Sequence, residues 1–511
     1  MNFRTRVFSI ILIICTVLGA VVYARSGQSV FEEHALFLGG KNTVRVWYTD
    51  DALTPYLQSK AVTYSEKMSK VRIEPKLVSG IEYLEAINKA SLKGDNYPDL
   101  FIITNDSLEK AYLAGLALEV DNSNSFINEG TFPKAAIDSV TYNGKYIGYP
   151  FYFETSSLIY NKTYLEDMAK DQLENEALLA EAEEDSKNAD AEGEAPAQTE
   201  GDGEGGEDAA AIDPMTEEEL DQLVPDEAVD ALVAESVPKN IPDILKFSLK
   251  YDPPEQVEGI FKWDVTDIFY NYFFVGNYMN VGGDAGDDVS KIDIYNEDTI
   301  SCMKIYQQLK QFFAIDAKMI DYDSVTQDFI DGKVVFTVAT TDILRRIEDA
   351  KLAGECNYDF AVADIPDLTG EFKARTMSVT NCIVVNGYSE HPYEANAFAK
   401  YLCKDTSEDM YKMSGKLAAR NNVKYTDSNL STFVDVYADS VPMPKTIETS
   451  NLWMELEIAF TEIWNGEDCN TTLRQVSESL MKQITGEEYT EEPIADPNDD
   501  VITAGLMEES D

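Results

Sequence analysis

Two hydrophobic periods alternate along the folded part of the chain. Thr43–Tyr48 (TVRVWY) sets apolar side chains at every second position, the strand period, and the next stretch sets Leu53, Leu57, Ala61, Tyr64 and Met68 at spacings of four and three, the helix period. Val71–Val78, a helical stretch from Ile81 to Leu92 and the apolar run Leu100–Ile103 continue the series. Strand, helix, strand, helix, strand predicts βαβ units and a parallel sheet. Ligands of such sheets sit outside the carboxyl ends of the strands. The candidate contacts are therefore Thr49, Asp50 and Asp51 after the first strand, and Thr104, Asn105 and Asp106 after the third.

The same patterning returns after Pro238. It predicts helices over Asn240–Tyr251, Thr299–Phe313, Glu394–Cys403, Asn451–Ile463 and Leu473–Ile484, and strands at Val334–Val338, Asp359–Val362 and Asn381–Val385. Val265–Phe274 is strongly aromatic. Glu166–Ser236 breaks the pattern. Within Glu166–Glu235 there are 26 acidic residues, two basic ones (Lys170 and Lys187) and no Phe, Trp or Tyr. Too little apolar surface is available there to offset the entropy of ordering, so 166–236 is expected to be a disordered acidic insertion, with short helices at its edges. Residues 486–511 read as an acidic tail.

The N-terminus carries an address. Arg4 and Arg6 precede Val7–Ala24, eighteen residues without a charge, which as a helix would span roughly 27 Å. That approaches the ~30 Å hydrocarbon core and places the rest of the chain outside the cell. Residues 1–24 are thus a signal peptide, with Val22-Tyr23-Ala24 a passable cleavage site, or a retained membrane anchor, and 25–42 a spacer. Ile14 stands before Cys15 where a lipoprotein signal wants a small residue, which argues against lipidation.

Composition narrows the function. With 511 residues the chain is too long for one compact core and predicts two or three domains. Lys+Arg 41 against Asp+Glu 93 gives a formal charge of −52, which disfavours nucleic acid, whose binding rests on phosphate neutralisation. Only His34 and His391 exist, so most zinc sites and Ser-His-Asp machinery drop out. No G-x-S-x-G, Walker or H-E-x-x-H motif occurs, and so many carboxylates make acidic pairs inevitable by chance, so they do not argue for an enzyme. The six cysteines have no metal-ligand spacing, no cofactor is implied, and one disulfide is compatible with an oxidising compartment.

Four stretches in order resemble the extracellular solute-binding proteins of ABC importers, in the group related to maltodextrin-binding protein. They are TVRVWYTDD with Gly94–Val120, Tyr142–Lys162 (YNGKYIGYPFYFETSSLIYNK), Phe329–Ile347, and Tyr358–Asp367 leading to Met413–Val423. The resemblance implies an α/β, two-lobe periplasmic-binding-protein-like fold with hinge crossovers and a ligand cleft between the lobes. Projected on this chain, lobe 1 covers 43–152 plus 366–403 and lobe 2 covers 153–363 plus 408–485, with the insertion projecting from lobe 2. It implies reversible capture of a carbohydrate for a membrane permease; a surface glycan-binding adhesin and a binding protein for a non-sugar solute are the alternatives.

A sugar needs groups that donate and accept together, and flat rings for its C–H faces. By family position the resemblance offers Trp453 as a stacking ring, and Asp50 or Asp51, Asp106 and Glu154 as hydroxyl ligands, with Asn105 beside them. Maltodextrin-binding relatives carry tryptophans where this chain has Ile103 and near Asp342, which points to a shorter or more polar glycan. Trp263 with Asp264 is a candidate replacement surface, and Asp342 itself is a candidate ligand contact.

Overall fold

A computed structural model describes residues 41–191 and 224–497. The apolar run Val7–Ala24, nearly all of the 25–42 spacer, the centre of the acidic segment and the final residues of the tail lie outside the described residues. In chain order, β1 (Asn42–Tyr48), α1 (Thr54–Lys67), β2 (Val71–Leu77), α2 (Tyr83–Lys93) and β3 (Leu100–Thr104) form the opening unit. α3 (Leu108–Leu113) and α4 (Lys134–Val140) lead to the hairpin β4 (Thr141–Tyr142) and β5 (Lys145–Tyr146), and β6 (Tyr149–Asn161) follows. Then come α5 (Lys162–Ala191), α6 (Asp226–Ser236), α7 (Ile241–Lys250), β7 (Gly259–Phe261), α8 (Ile268–Asn271), α9 (Glu297–Gln308), α10 (Tyr322–Ile330), β8 (Val334–Thr340), α11 (Asp342–Ala353) and β9 (Phe360–Ala363). The chain returns through β10 (Met377–Val385), α12 (Pro392–Cys403), α13 (Asp409–Ser414), β11 (Leu417–Ala418), α14 (Ser428–Asp439) and β12 (Val441–Pro442), and closes with α15 (Leu452–Trp464) and α16 (Cys469–Thr485).

β1 pairs in parallel with both β2 and β3, as the alternating pattern predicts. The sheet continues in the order β2-β1-β3-β10-β6-β8-β7. β6 is its axis: the first half pairs antiparallel with β10 and the second half with β8 and β9. One strand therefore passes from one lobe into the other, and of its thirteen residues Glu154 alone is not buried. The Asn143-Gly144 turn ahead of it has φ of 49° and 73°, the double left-handed conformation that a tight hairpin requires.

The second lobe is held by an aromatic cluster. Trp263 and Trp464 are fully buried, 5.7 Å apart edge to face, and Phe261 stacks on Trp263 at 4.5 Å. In the first lobe α1 buries Tyr56, Leu57, Ala61 and Tyr64 against the sheet. The five cysteines of the described residues, Cys302, Cys356, Cys382, Cys403 and Cys469, are all buried.

Three expectations about organisation change. First, Glu166–Ala191 belongs to the helix α5, and Asp226–Ser236 is the helix α6 with Val229 and Val233 in the core. Leu165 and Ala169 line the buried side of α5, so a composition rich in Ala, Leu and Glu forms helix once a few apolar residues find a surface. Second, the start of the tail is docked: the Asn470 amide donates to the Ile494 carbonyl at 2.8 Å, and the Ile494 N–H reaches the Tyr295 hydroxyl at 3.0 Å. Third, α13, grouped with lobe 2 by projection, packs on α1 of lobe 1, where Lys60 bridges Asp405 at 2.7 Å and Asp409 at 2.9 Å.

Candidate functional site

A cleft of about 430 Å³ opens between the lobes. Asp51, Ala52 and Pro55 form one wall, Thr341, Asp342, Arg345 and Arg346 the other, and Met413–Lys416 the floor.

The floor is organised by strand pairing. β11 pairs with β6, setting Leu417 opposite Phe153 and Ala418 opposite Tyr152, so Lys416 arrives next to Glu154. The Lys416 Nζ lies 3.0 Å from Glu154 Oε1 and 2.9 Å from Asp50 Oδ2. It also stands 5.5 Å from the centre of the Tyr152 ring. Burial disfavours its charge, yet Glu154 and Asp50 outweigh that and raise the Lys416 pKa. Burial, followed by the charges of Asp50 and Glu154, pushes the Tyr152 phenol well above its usual range. Asp50 is also fixed by the backbone, since its other oxygen accepts the Ala52 N–H at 3.0 Å and caps the turn after β1.

The second wall is equally set. Asp342 opens α11 and accepts hydrogen bonds from the Tyr322 hydroxyl at 2.6 Å and from the Thr340 hydroxyl. Its second oxygen meets Arg346 Nε at 2.9 Å, and Arg346 also reaches Asp323 at 2.8 Å. The Arg346 guanidinium lies over the Tyr322 ring, which stacks on Tyr270 at 4.4 Å. Burial, then Asp342, raises the Tyr322 phenol. Arg345 has a weaker tie, 4.0 Å from Asp349.

The structure thus brings together Asp50, Asp51, Glu154 and Asp342 from the sequence-derived candidates. Asp106 holds its carboxylate against the Thr104 hydroxyl and, at 3.5 Å, the Ser107 hydroxyl. Trp453 is half-buried on α15, edge to face with Tyr272 at 5.8 Å. Neither Asp106 nor Trp453 is among the residues that line the cleft, and two further candidates are buried elsewhere. Trp263 is fully buried, packed by Phe261 and Trp464, and its indole N–H is spent on Asn271 at 2.8 Å, so no ring face is open. Asn105 is fully buried, and both ends of its amide are taken by backbone, the Met443 carbonyl and the Thr380 N–H. Reading the sequence missed Lys416, Arg345 and Arg346. A lysine in SGKLAAR carries no motif, and its role emerges only from the register of β11 on β6.

The family model of bacterial extracellular solute-binding proteins matches residues 60–431. This chain belongs to that family. Such proteins are binding components that work outside the cytoplasm. Among relatives of this solute-binding protein, the maltodextrin-binding protein MdxE of Bacillus subtilis (strain 168) is 20% identical over 461 residues, 88% of this chain and 92% of its own length. An extracellular solute-binding protein from Staphylococcus aureus, in complex with maltose, superposes with a TM-score of 0.64 at 18% identity, covering 87% of this chain and 98% of its own. A cyclo/maltodextrin-binding protein complexed with maltotetraose gives 0.62 at 19%, covering 89% and 100%. The likeness shows the two-lobe α/β fold.

Proposed function

We propose that this solute-binding protein is the substrate-capturing component of an ABC sugar importer. It takes up a carbohydrate reversibly in the cleft between Asp51 and Asp342 and delivers it to membrane permease subunits. The observation that carries this reading is the floor of the cleft, where the Lys416 ammonium is clamped by Asp50 and Glu154. A neutral molecule rich in hydroxyls suits such a surface, because each hydroxyl can donate to a carboxylate and accept from a cation. The maltose and maltotetraose complexes of the structural neighbours support the same class of ligand.

Asp50, Asp51, Glu154 and Asp342 are the proposed polar ligands, Asp106 lies on the first-lobe side, and Trp453 is the proposed ring surface. No aromatic side chain is among the residues that line the 430 Å³ cleft itself, which favours a short or polar glycan over a long glucan. The N-terminal segment is proposed to hold the protein at the outer face of the membrane. A thermal-shift screen of mono- and oligosaccharides tests the reading. A ligand at a hundred times its dissociation constant adds about 2.7 kcal/mol to stability, so a true ligand raises the unfolding temperature clearly. Stabilisation by peptides or metal ions and by no glycan overturns it.

A further inference from the structure

We propose that Lys416 is a ligand-contacting, specificity-determining residue: its ammonium donates one hydrogen bond to a sugar hydroxyl and makes the cleft demand a hydroxyl at that position. The proposal rests on the carbohydrate reading above and goes beyond the sites that sequence and family position suggest.

An ammonium group has three N–H donors in tetrahedral arrangement. On Lys416 two are taken, by Asp50 at 2.9 Å and Glu154 at 3.0 Å. The Tyr152 ring, 5.5 Å from Nζ, covers another side. The residue lines the cleft with its side chain 19% exposed, so what remains of its donor capacity belongs to whatever enters. The two carboxylates are held by the same contact, Asp50 at the end of β1 and Glu154 as the one residue of β6 that is not buried. A hydroxyl placed between them can donate to Glu154 while accepting from Lys416. Where the hydroxyl is missing, the ammonium loses water on ligand entry and gains no acceptor. Buried polar groups left unpaired in this way are what allow a hydrogen-bonding site to reject a deoxy analogue far more strongly than an apolar pocket can. Arginine does not replace the arrangement, because its planar fork cannot reach two carboxylates and a third acceptor from one nitrogen.

The test is isothermal titration of the full folded domain with maltose to maltopentaose and with gluco-, galacto-, manno- and xylo-oligosaccharides, on wild type, Lys416→Arg and Lys416→Met. For the sugar that binds wild type, Lys416→Met is expected to weaken affinity at least tenfold and Lys416→Arg to recover little of it. The decisive readout is the series of monodeoxy derivatives of that sugar. Loss of one hydroxyl should cost wild type at least tenfold and Lys416→Met less than threefold, a coupling that a purely structural lysine does not produce. If Lys416→Met does not fold, the Lys416→Met, Glu154→Gln double variant removes one of the two carboxylates left unpaired, and is compared with Glu154→Gln alone. Equal affinity with and without Lys416, or deoxy penalties that persist undiminished in the variant, overturns the proposal while the carbohydrate reading stands. Failure of every sugar to bind wild type overturns both.

Discussion

The side-chain amide of Asn105 at the end of β3 donates to the Met443 carbonyl at 2.6 Å, while its oxygen accepts the Thr380 N–H at 3.0 Å. One fully buried amide thus ties the segment after β12, which leads into α15, to the edge between β3 and β10. Asn105→Ala leaves the part-buried Met443 carbonyl and the buried Thr380 N–H without this partner, a loss of about 1–3 kcal/mol. Urea unfolding at constant slope should show it, and an unchanged midpoint would refute the structural role.

The two central tryptophans should separate by behaviour. Trp263→Phe removes the bond to Asn271 and leaves that buried oxygen unpaired, so stability falls by about 1–3 kcal/mol while sugar affinity stays within twofold. Trp453→Ala, at a half-buried position of α15, should weaken sugar binding by on the order of 1–3 kcal/mol with a smaller effect on unfolding. Thermal unfolding and titration on both variants distinguish the roles, and reversed results would exchange them.

Lys445 should make stability depend on pH. It is fully buried, donates to the Asp138 carbonyl at 3.1 Å and to the Ala285 carbonyl, and burial lowers its pKa to about 8 despite the nearby charge of Asp287. The native state therefore binds fewer protons than the unfolded chain between about pH 8 and the unperturbed lysine value. Stability from this group rises with pH through that window, by about 3 kcal/mol in full, and the penalty is complete below pH 8. Buried tyrosines titrate in the opposite sense, so the quantity to follow is the difference between wild type and Lys445→Met from pH 7 to 9.5. A difference that does not change with pH contradicts the depressed pKa.

The acidic segment should divide into essential ends and a dispensable middle. Excising 166–236 removes Ala169, Val229 and Val233 from the core and should destabilise the second lobe. Replacing 192–223 alone by a Gly/Ser linker should leave unfolding and sugar affinity unchanged, because loop closure costs only about 0.6 kcal/mol per doubling of length. A tenfold loss of affinity in the second variant would assign those residues to the site.

Much of the architecture was legible in the chain. The opening strand–helix alternation maps onto β1 to β3, and Thr299–Phe313 and Asn451–Ile463 onto α9 and α15, because their apolar residues repeat at the period of the element they form. Short helices at the edges of the acidic segment were expected, but their extent and their packing into the core were not legible: composition sums over seventy positions, whereas packing needs only a few apolar residues at the right spacing. The acidic side of the cleft followed from strand ends and family position. Its cations did not, since Lys416 comes to Asp50 and Glu154 only through a two-residue strand far along the chain. Trp263 shows the converse, an aromatic residue beside an acid that reads as a ligand surface and is spent on the core.

The central claim is that carbohydrate is held on the floor of the cleft, and titration of Glu154→Gln against wild type with the sugar found by thermal shift tests it most directly. The substitution keeps size and shape and removes one charge next to Lys416. The account predicts one binding site per chain in wild type and at least a tenfold loss of affinity in the variant, with the unfolding temperature little changed. Equal affinity in the two proteins would place the sugar elsewhere and contradict the account.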